Sequence, residues 1–531
     1  MSADPYVRQH LTLVSPSRPT PVLDAPAADV PDGWTAAASR LLAVLFVLVA
    51  FETLVSVPTL TWELAVGGRE WMGVALGLLV AAAVGGGVWI GRERIAALLA
   101  AASARLARID RRRWLAMVIV AGVALRVAWV LVFPAPYTSD GADYYHLGGH
   151  LARGETYHSA AGYAEWPPGY PLVLALHFAV LGVGSLGVTV ANLLLFAGAL
   201  LVVHALALRL LGEGPARLAT LLFALWPNLV ASAGVASKEM VLVLFLPLVL
   251  LLYLQVDEKP DEKRTPAGRA AAALGAGLAL GFSILTQPGV LLMVVVFPVF
   301  ELLRRTPVLR LAGKLALLAV GTVIVVAPWT LRNYRVFHQP VLVSSNGGSV
   351  FYRSNNPLAT GGFIPDGERS LRGYDELTAS RLGYQWGKEW IREHPGQFLR
   401  LGVRKQVLFL GDDAGSVYET LKRGLKLGGG LYAVSKLVAN AWWLAVWVLV
   451  LAAFLAHRPI PWHRRQEVVL FLLAILYFWA IDSVFESGSR HHLPVVGLLA
   501  ILAAGAAGVR VEREENQGRQ GHQGHQGLQG R

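Results

Sequence analysis

Apolar residues dominate this chain in long runs, and polar residues come in short interruptions. The runs predict helices near 37–58, 72–90, 114–133, 187–211, 218–233, 239–254, 271–286, 288–303, 312–331, 432–456, 467–484 and 494–509. Each is close to the ~20 residues that cross a ~30 Å hydrocarbon core. A thirteenth apolar stretch, "PGYPLVLALHFAVLG" from 168, is rich in proline at its entry. It reads as a re-entrant or juxtamembrane helix. The fold class expected is therefore an all-α polytopic membrane protein with about twelve transmembrane helices.

Charge sets the sides. The segment 91–113 carries seven arginines, Arg92, Arg94, Arg105, Arg108, Arg111, Arg112 and Arg113, which marks it as cytoplasmic. "DEKPDEKRTPAGR", "RRTPVLRLAGK" and "HRPIPWHRR" carry Lys or Arg in short loops too, the count that sets sidedness. All four fall on one side if 168–184 dips and returns. This parity divides the chain into a cytoplasmic arm over 1–35, two extra N-terminal spans and a basic loop over 36–113, and a membrane core over 114–331. The first outer loop of that core is 134–186. An extracytoplasmic loop region over 332–431, C-terminal spans over 432–510 and a low-complexity tail over 511–531 complete it. Both termini come out cytoplasmic, in the cell membrane. Within the long loop, 377–410 has amphipathic helical spacing, with Trp386, Trp390 and Phe398 placed to lie along an interface.

Composition agrees with this picture. Of 531 residues, 55% are hydrophobic and only 15% charged, and the mean hydropathy is +0.50. With no cysteine, no disulfide framework or thiolate metal site is available. The net charge of +12 does not point to nucleic acid, because the basic residues punctuate apolar runs, as anionic lipid favours. His522 and His525 sit in the Gly/Gln/His tail, where composition promises no chemistry.

Four polar segments meet on the outer face: 134–186, the turn at 236–240, 332–431 and 486–494. Asp140 and Asp143 stand at the lip of the third span. The plain reading is a helix start, with Ser139 or Asp140 capping free N–H groups and Asp143 complementing the dipole. The sharper one is a general base at the membrane–water boundary. Tyr144 lies one turn above Asp140. Asp143, His146 and His150 share a helix face, which leaves a divalent metal ion as an open option, though none is required. Glu239 opens a span beside Lys238, and Arg490, with His491 and His492, opens the last. Lys238 and Arg490 suit a phosphate. Arg332, Asn333, Arg335, Asn355 and Asn356 offer further polar groups at the surface.

Taken together, "SDGADYYHLGGHLARG", "WPPGYPLVLAL", "SKEMVLVL", "PWTLRNYRVF", "NNPLATGG" and "SRHHLP" occur in an order that resembles type C glycosyltransferases. The similarity is to the dolichyl-phosphate-mannose–protein mannosyltransferase and aminoarabinose-transferase-like family, over roughly 114–505. The resemblance implies Asp140 as catalytic base, Glu239 as the acidic residue after the fifth span, and Arg490 as a signature arginine. The family pattern places an aromatic where this chain has His491. The implied activity moves a sugar from a polyprenyl-phosphate donor to an acceptor hydroxyl on a protein, lipid or glycan, with inversion. Lys238, Arg490 and Arg332 would hold the donor phosphate, supported by Asp143, Tyr144, Glu239, His491, Asn333 and Asn356. A transporter or lipid flippase, or an O-antigen-ligase-like enzyme, are the alternatives.

Overall fold

A computed structural model describes residues 34–256, 265–456 and 466–507. The arm over 1–35 lies almost wholly outside them, as do the tail with His522 and His525 and most of two basic loops. Among the described residues every regular element is helical, and a single β-bridge joins Ser159 and Gly162. In chain order these are α1 (Trp34–Ala65), α2 (Glu70–Ala107), α3 (Arg111–Val132), α4 (Asp140–Ala152), α5 (Gly169–Leu181), α6 (Ser185–Leu211), α7 (Glu213–Ala224), α8 (Pro227–Ala231), α9 (Glu239–Gln255), α10 (Pro266–Thr286), α11 (Val296–Leu303), α12 (Val308–Phe337), α13 (Gly347–Arg353), α14 (Glu376–Glu393), α15 (Pro395–Leu410), α16 (Gly415–Val417), α17 (Gly430–Leu455), α18 (Gln466–Val484) and α19 (Leu493–Ala507).

Every expected span has a helical counterpart, and the chain is a multi-pass membrane protein. The expected count of twelve full crossings is not reproduced. Eight helices are long and apolar enough to cross alone, or nine if α7 and the segment Pro227–Gly234, bent by 52°, form one broken span. The remaining apolar helices, α5, α9, Pro288–Leu303 and α19, are shorter. Prolines mark the start of three of them: Pro167 and Pro168 before α5, Pro288 at the head of Pro288–Leu303, and Pro494 at the head of α19.

Two further departures are local. The arginine-rich segment is not a loop from residue 91, because α2 continues to Ala107 for 38 residues. At ~1.5 Å per residue that is about 57 Å, well beyond a bilayer core. The Ala- and Leu-rich run "IAALLAAASARLA" has the propensity to sustain it. The third apolar run also hides a charge. Arg126 is fully buried in α3, donating to the carbonyls of Gly122 (3.0 Å) and Ala224 (2.9 Å) and lying over the Phe196 ring. Ala224 ends α7, so this buried arginine satisfies a carbonyl that the α7–α8 break releases.

Helices in lipid associate through close packing of small residues. The α10–α12 crossing depends on this. A Cβ at Gly277 would lie 2.2 Å from the Leu318 carbonyl oxygen, and one at Gly321 would lie 2.4 Å from that of Leu274. Thr322 Oγ1 donates across the crossing to Gly277 O at 3.2 Å. This pair matters to the site because α12 carries Arg332 and Asn333 on its last turns. A Gly321→Ala variant is expected to lose roughly 1–3 kcal/mol of stability, since both obstructing groups are backbone. Gly313→Ala on the same helix, with open space around it, serves as the neutral control. Thermal unfolding in detergent reads the difference.

Candidate active site

Three polypeptide segments far apart in sequence bring their charges to one place. Asp140 opens α4, Glu239 opens α9, and Arg490 lies in the turn before α19. Arg490 Nη2 donates to Asp140 Oδ2 at 2.5 Å, and its Nε stands 3.6 Å from Glu239 Oε1. The guanidinium thus bridges two carboxylates. Glu239 is almost fully buried and also accepts from Ser237 Oγ at 2.5 Å. Lys238 adds a second positive charge that acts on both carboxylates.

The capping explanation for Asp140 does not hold. No side chain caps the N-terminus of α4, and the Asp140 carboxylate turns to Arg490, with Ser139 Oγ donating to it at 3.2 Å. Ser139 takes a positive φ of 51°, a conformation L-residues rarely adopt, so the turn into α4 is held under strain. Burial would raise the Asp140 pKa, but Arg490 and Lys238 outweigh it and draw it down to about 2. The same carboxylates raise the proton affinity of Arg490 against burial. Asp143, one turn on, moves the other way: burial and then the Asp140 charge raise it.

Asp140, Gly141 and Arg490 line a narrow cleft with Tyr137, Ser237 and Glu419. Gly141 allows α4 to approach the turn before α9, where a Cβ would lie 3.1 Å from the Ala236 carbonyl oxygen. Tyr144 supports the cleft from behind, edge-on to Trp166 and Tyr170 with centroids 5.4 and 5.9 Å away. Its hydroxyl is buried without a partner.

Other candidate residues lie elsewhere. Arg332 does not line the cleft. Its guanidinium donates to the carbonyls of Tyr163 (2.7 Å) and Tyr157 (2.6 Å) in the first outer loop and to the adjacent Asn333 Oδ1 (3.0 Å). Asn333 is buried and donates to Val341 O and Val343 O. Asn356 bonds the carbonyls of Tyr352 and Arg353 and the Leu358 N–H, closing its own turn. The Asp143, His146 and His150 face gathers no metal set. Among the described residues no three His, Cys, Asp or Glu side chains are grouped to hold an ion. His146 is exposed, while His150 faces Glu155 at 3.8 Å. Between Asp140 and Glu239, where a cation would sit, the positive charge is Arg490. Trp390 is buried within the protein and does not lie along an interface.

The histidines after Arg490 hold it in place. His491 Nδ1 pairs with Asp482 at 2.5 Å, and that carboxylate raises the imidazole pKa against burial. His492 is fully buried, stacked 4.4 Å from Trp443. Its Nδ1 meets Phe409 O at 2.7 Å and its Nε2 meets Asp413 at 2.9 Å. Asp413 also accepts from Trp226 Nε1 (2.6 Å) and Asn228 Nδ2 (2.8 Å). Sequence reasoning did not single out Asp413, because nothing in a loop sequence shows which acid will be enclosed. It also missed Glu376, which accepts from Ser345 Oγ at 2.6 Å and from the backbone N–H groups of Tyr163 and Ala164. Gly162, at φ 140°, leaves room for that carboxylate. Glu165, next in this clamp, is raised to about 7, chiefly by burial.

Residues 165–331, about a third of the chain, match the model of the dolichyl-phosphate-mannose-protein mannosyltransferase family. Over that segment the resemblance holds. It takes in Lys238 and Glu239 and excludes Asp140 and Arg490. No curated protein matches the chain. Among solved structures, the chain is similar to the archaeal oligosaccharyltransferase AglB from Archaeoglobus fulgidus, in complex with an inhibitory peptide and a dolichol-phosphate. Identity is 14%, 76% of this chain and 51% of that one are covered, and the TM-score is 0.43. The chain therefore spans about half that protein's length. It is also similar to ArnT from Cupriavidus metallidurans bound to undecaprenyl phosphate, at 17% identity, 75% and 77% coverage, and a TM-score of 0.41.

Two outcomes check this geometry. Arg490→Gln leaves two carboxylates facing each other and is expected to destabilise the protein by roughly 2 kcal/mol. That is below the full cost of breaking a buried pair, since 33% of the arginine side chain is exposed. Adding Asp140→Asn should restore part of the loss in thermal unfolding. Glu165 reads out as pH dependence. A carboxyl whose pKa is higher folded than unfolded withdraws stability as pH climbs from about 4.5 through about 7. Glu165→Gln should therefore unfold a few degrees above the wild type at pH 8 and level with it at pH 4.

Proposed function

We propose that this chain is a membrane glycosyltransferase. It moves a sugar from a polyprenyl-phosphate donor to an acceptor hydroxyl, on a protein, lipid or glycan, with inversion at the anomeric carbon. Two cytoplasmic termini and an extracytoplasmic site complete the reading. The observation that carries it is the meeting of Asp140 and Arg490 in one cleft, with Glu239 against the arginine and the Lys238 charge acting on Asp140. The family match over 165–331 supports it.

The chemistry follows from these charges. A sugar phosphate ester is already activated, because the phosphate departs as an anion. The acceptor hydroxyl gives its proton to Asp140 as its oxygen attacks the anomeric carbon. The bond from that carbon to the phosphate oxygen breaks, and its electron pair leaves with the phosphate. Arg490 and Lys238 offset the charge that develops there. Glu239 keeps Arg490 oriented. Arg332, bonded to the carbonyls of Tyr157 and Tyr163, acts by fixing the first outer loop that follows α4.

Sidedness is supported by α3, which has Arg111, Arg112 and Arg113 at one end and leads to Asp140 from the other. A donor confined to the bilayer then reaches the charges at the lip, and a water-borne acceptor reaches them from outside. The transporter alternative calls for charged residues along a mid-membrane path. The buried Arg126 serves a helix break instead.

In nanodiscs with undecaprenyl-phosphate sugars and a cell-envelope acceptor extract, Asp140→Asn should lower turnover by about 10² or more. Binding of undecaprenyl phosphate should survive. Wild-type turnover retained in this variant would sink the base assignment.

A further inference from the structure

The cleft has a wall that this chemistry does not use. Thr138, Ser416, Glu419 and Thr420 line it together with Asp140 and Arg490. Glu419 and Thr420 belong to a π-helical turn, Tyr418–Gly424, a rare geometry that recurs at functional sites. The turn is widened by a Leu425 N–H bond to Thr420 O at 3.0 Å. Gly424 lets it press against the first outer loop, where a Cβ would lie 2.9 Å from Ala135 Cβ.

Two polar groups there are underused. Glu419 Oε1 accepts from Arg423 Nη1 at 2.8 Å, while Oε2 receives only a long contact from Thr138 Oγ1, 3.4 Å. Thr420 is 2% exposed, and its Oγ1 has no partner. A helical threonine usually satisfies its hydroxyl on the carbonyl four residues back. A hydroxyl left idle in the interior is unfavourable, so a ligand group in the cleft that partners it is favoured there. A phosphate does not suit this wall, because the Glu419 carboxylate repels it. An ammonium is redundant beside Arg423. What the set accepts is a hydroxyl-rich ligand whose O–H groups donate to Glu419 and exchange with Thr420.

We propose that Glu419, Thr420 and Thr138 form a sugar-hydroxyl subsite that selects the carbohydrate admitted beside Asp140. This rests on the glycosyltransferase reading and adds a specificity determinant to it. The hydroxyls come either from the donor sugar or from a glycan acceptor, and the experiment separates the two.

Full-length protein in nanodiscs is titrated with undecaprenyl phosphate and with the same lipid carrying mannose, glucose, galactose or arabinose. Transfer is then followed against acceptor concentration at saturating donor. Glu419→Gln and Thr420→Val should each weaken a sugar-bearing lipid about tenfold and leave the bare lipid phosphate unmoved if the donor sugar sits here. If the acceptor sits here, lipid binding is unchanged and the acceptor KM rises about tenfold. Equal losses for bare and sugar-bearing lipids overturn the subsite. So does a Thr420→Val protein that only unfolds at a higher temperature, with binding and KM untouched. Failure of the broader reading looks different: the wild type then does not bind undecaprenyl phosphate, or Asp140→Asn turns over normally.

Discussion

A guanidinium pinned between two carboxylates is the constraint that organises the rest of this molecule. Arg490 reaches Asp140 across 350 positions of sequence, and Glu239 closes the other side. None of the three tolerates isolation at the edge of a low-dielectric region, because an unpaired charge there costs several kcal/mol. The start of α4, the start of α9 and the turn before α19 must therefore converge. Much of the surrounding architecture is an answer to that demand. The break between α7 and α8, whose freed Ala224 carbonyl is met by Arg126, brings the turn before α9 to the cleft. The pairs His492–Asp413 and His491–Asp482 fix the residues immediately after Arg490.

A second set of contacts holds the later part of the first outer loop. Arg332 and Glu376 act from opposite chemical sides on one short stretch. The cation takes the carbonyls of Tyr157 and Tyr163, and the anion takes the N–H groups of Tyr163 and Ala164. Backbone donors and acceptors in a loop without secondary structure must find partners, and here charged side chains provide them. Glu165, carried by the same stretch, is half-buried at the edge of this clamp, and its raised proton affinity follows from that desolvation. The long loop region after α12 is thus bound to the first outer loop by charge, not by an apolar interface alone.

This division explains what could be read from the chain. Spans were legible because hydrophobic length is a property of the sequence itself. Asp140 stood out because a carboxylate at the end of an apolar run is costly wherever it points. The error at α2 came from taking arginines as a boundary, whereas Ala and Leu around them continue a helix into water. The error at Arg332, Asn333 and Asn356 was of another kind. A polar side chain near a membrane lip looks the same in sequence whether its donors face a ligand or a carbonyl, and only the tertiary pairing decides. The proposed face of Asp143, His146 and His150 failed for a related reason, since helical spacing aligns side chains without making them converge. Asp413, Glu376 and Glu419 had no signal at all, because the partners that enclose these acids come from segments distant in sequence.

Charge balance in the cleft bears on how a base held at so low a pKa can act. With Asp140 and Glu239 set against Lys238 and Arg490, the resting cluster is neutral, and Asp140 is a poor proton acceptor because Arg490 and Lys238 stabilise its ionised form. On the proposed reading, a lipid phosphate entering the cleft brings negative charge and competes for the same guanidinium. As Arg490 turns toward the phosphate, Asp140 loses its strongest stabilising neighbour while its burial persists, and burial alone raises a carboxylate's proton affinity. On that reading the base becomes competent as the donor arrives, and Arg490 holds it ionised before then. The arrangement places the two requirements of the reaction, a ready base and a neutralised leaving group, under the control of a single side chain.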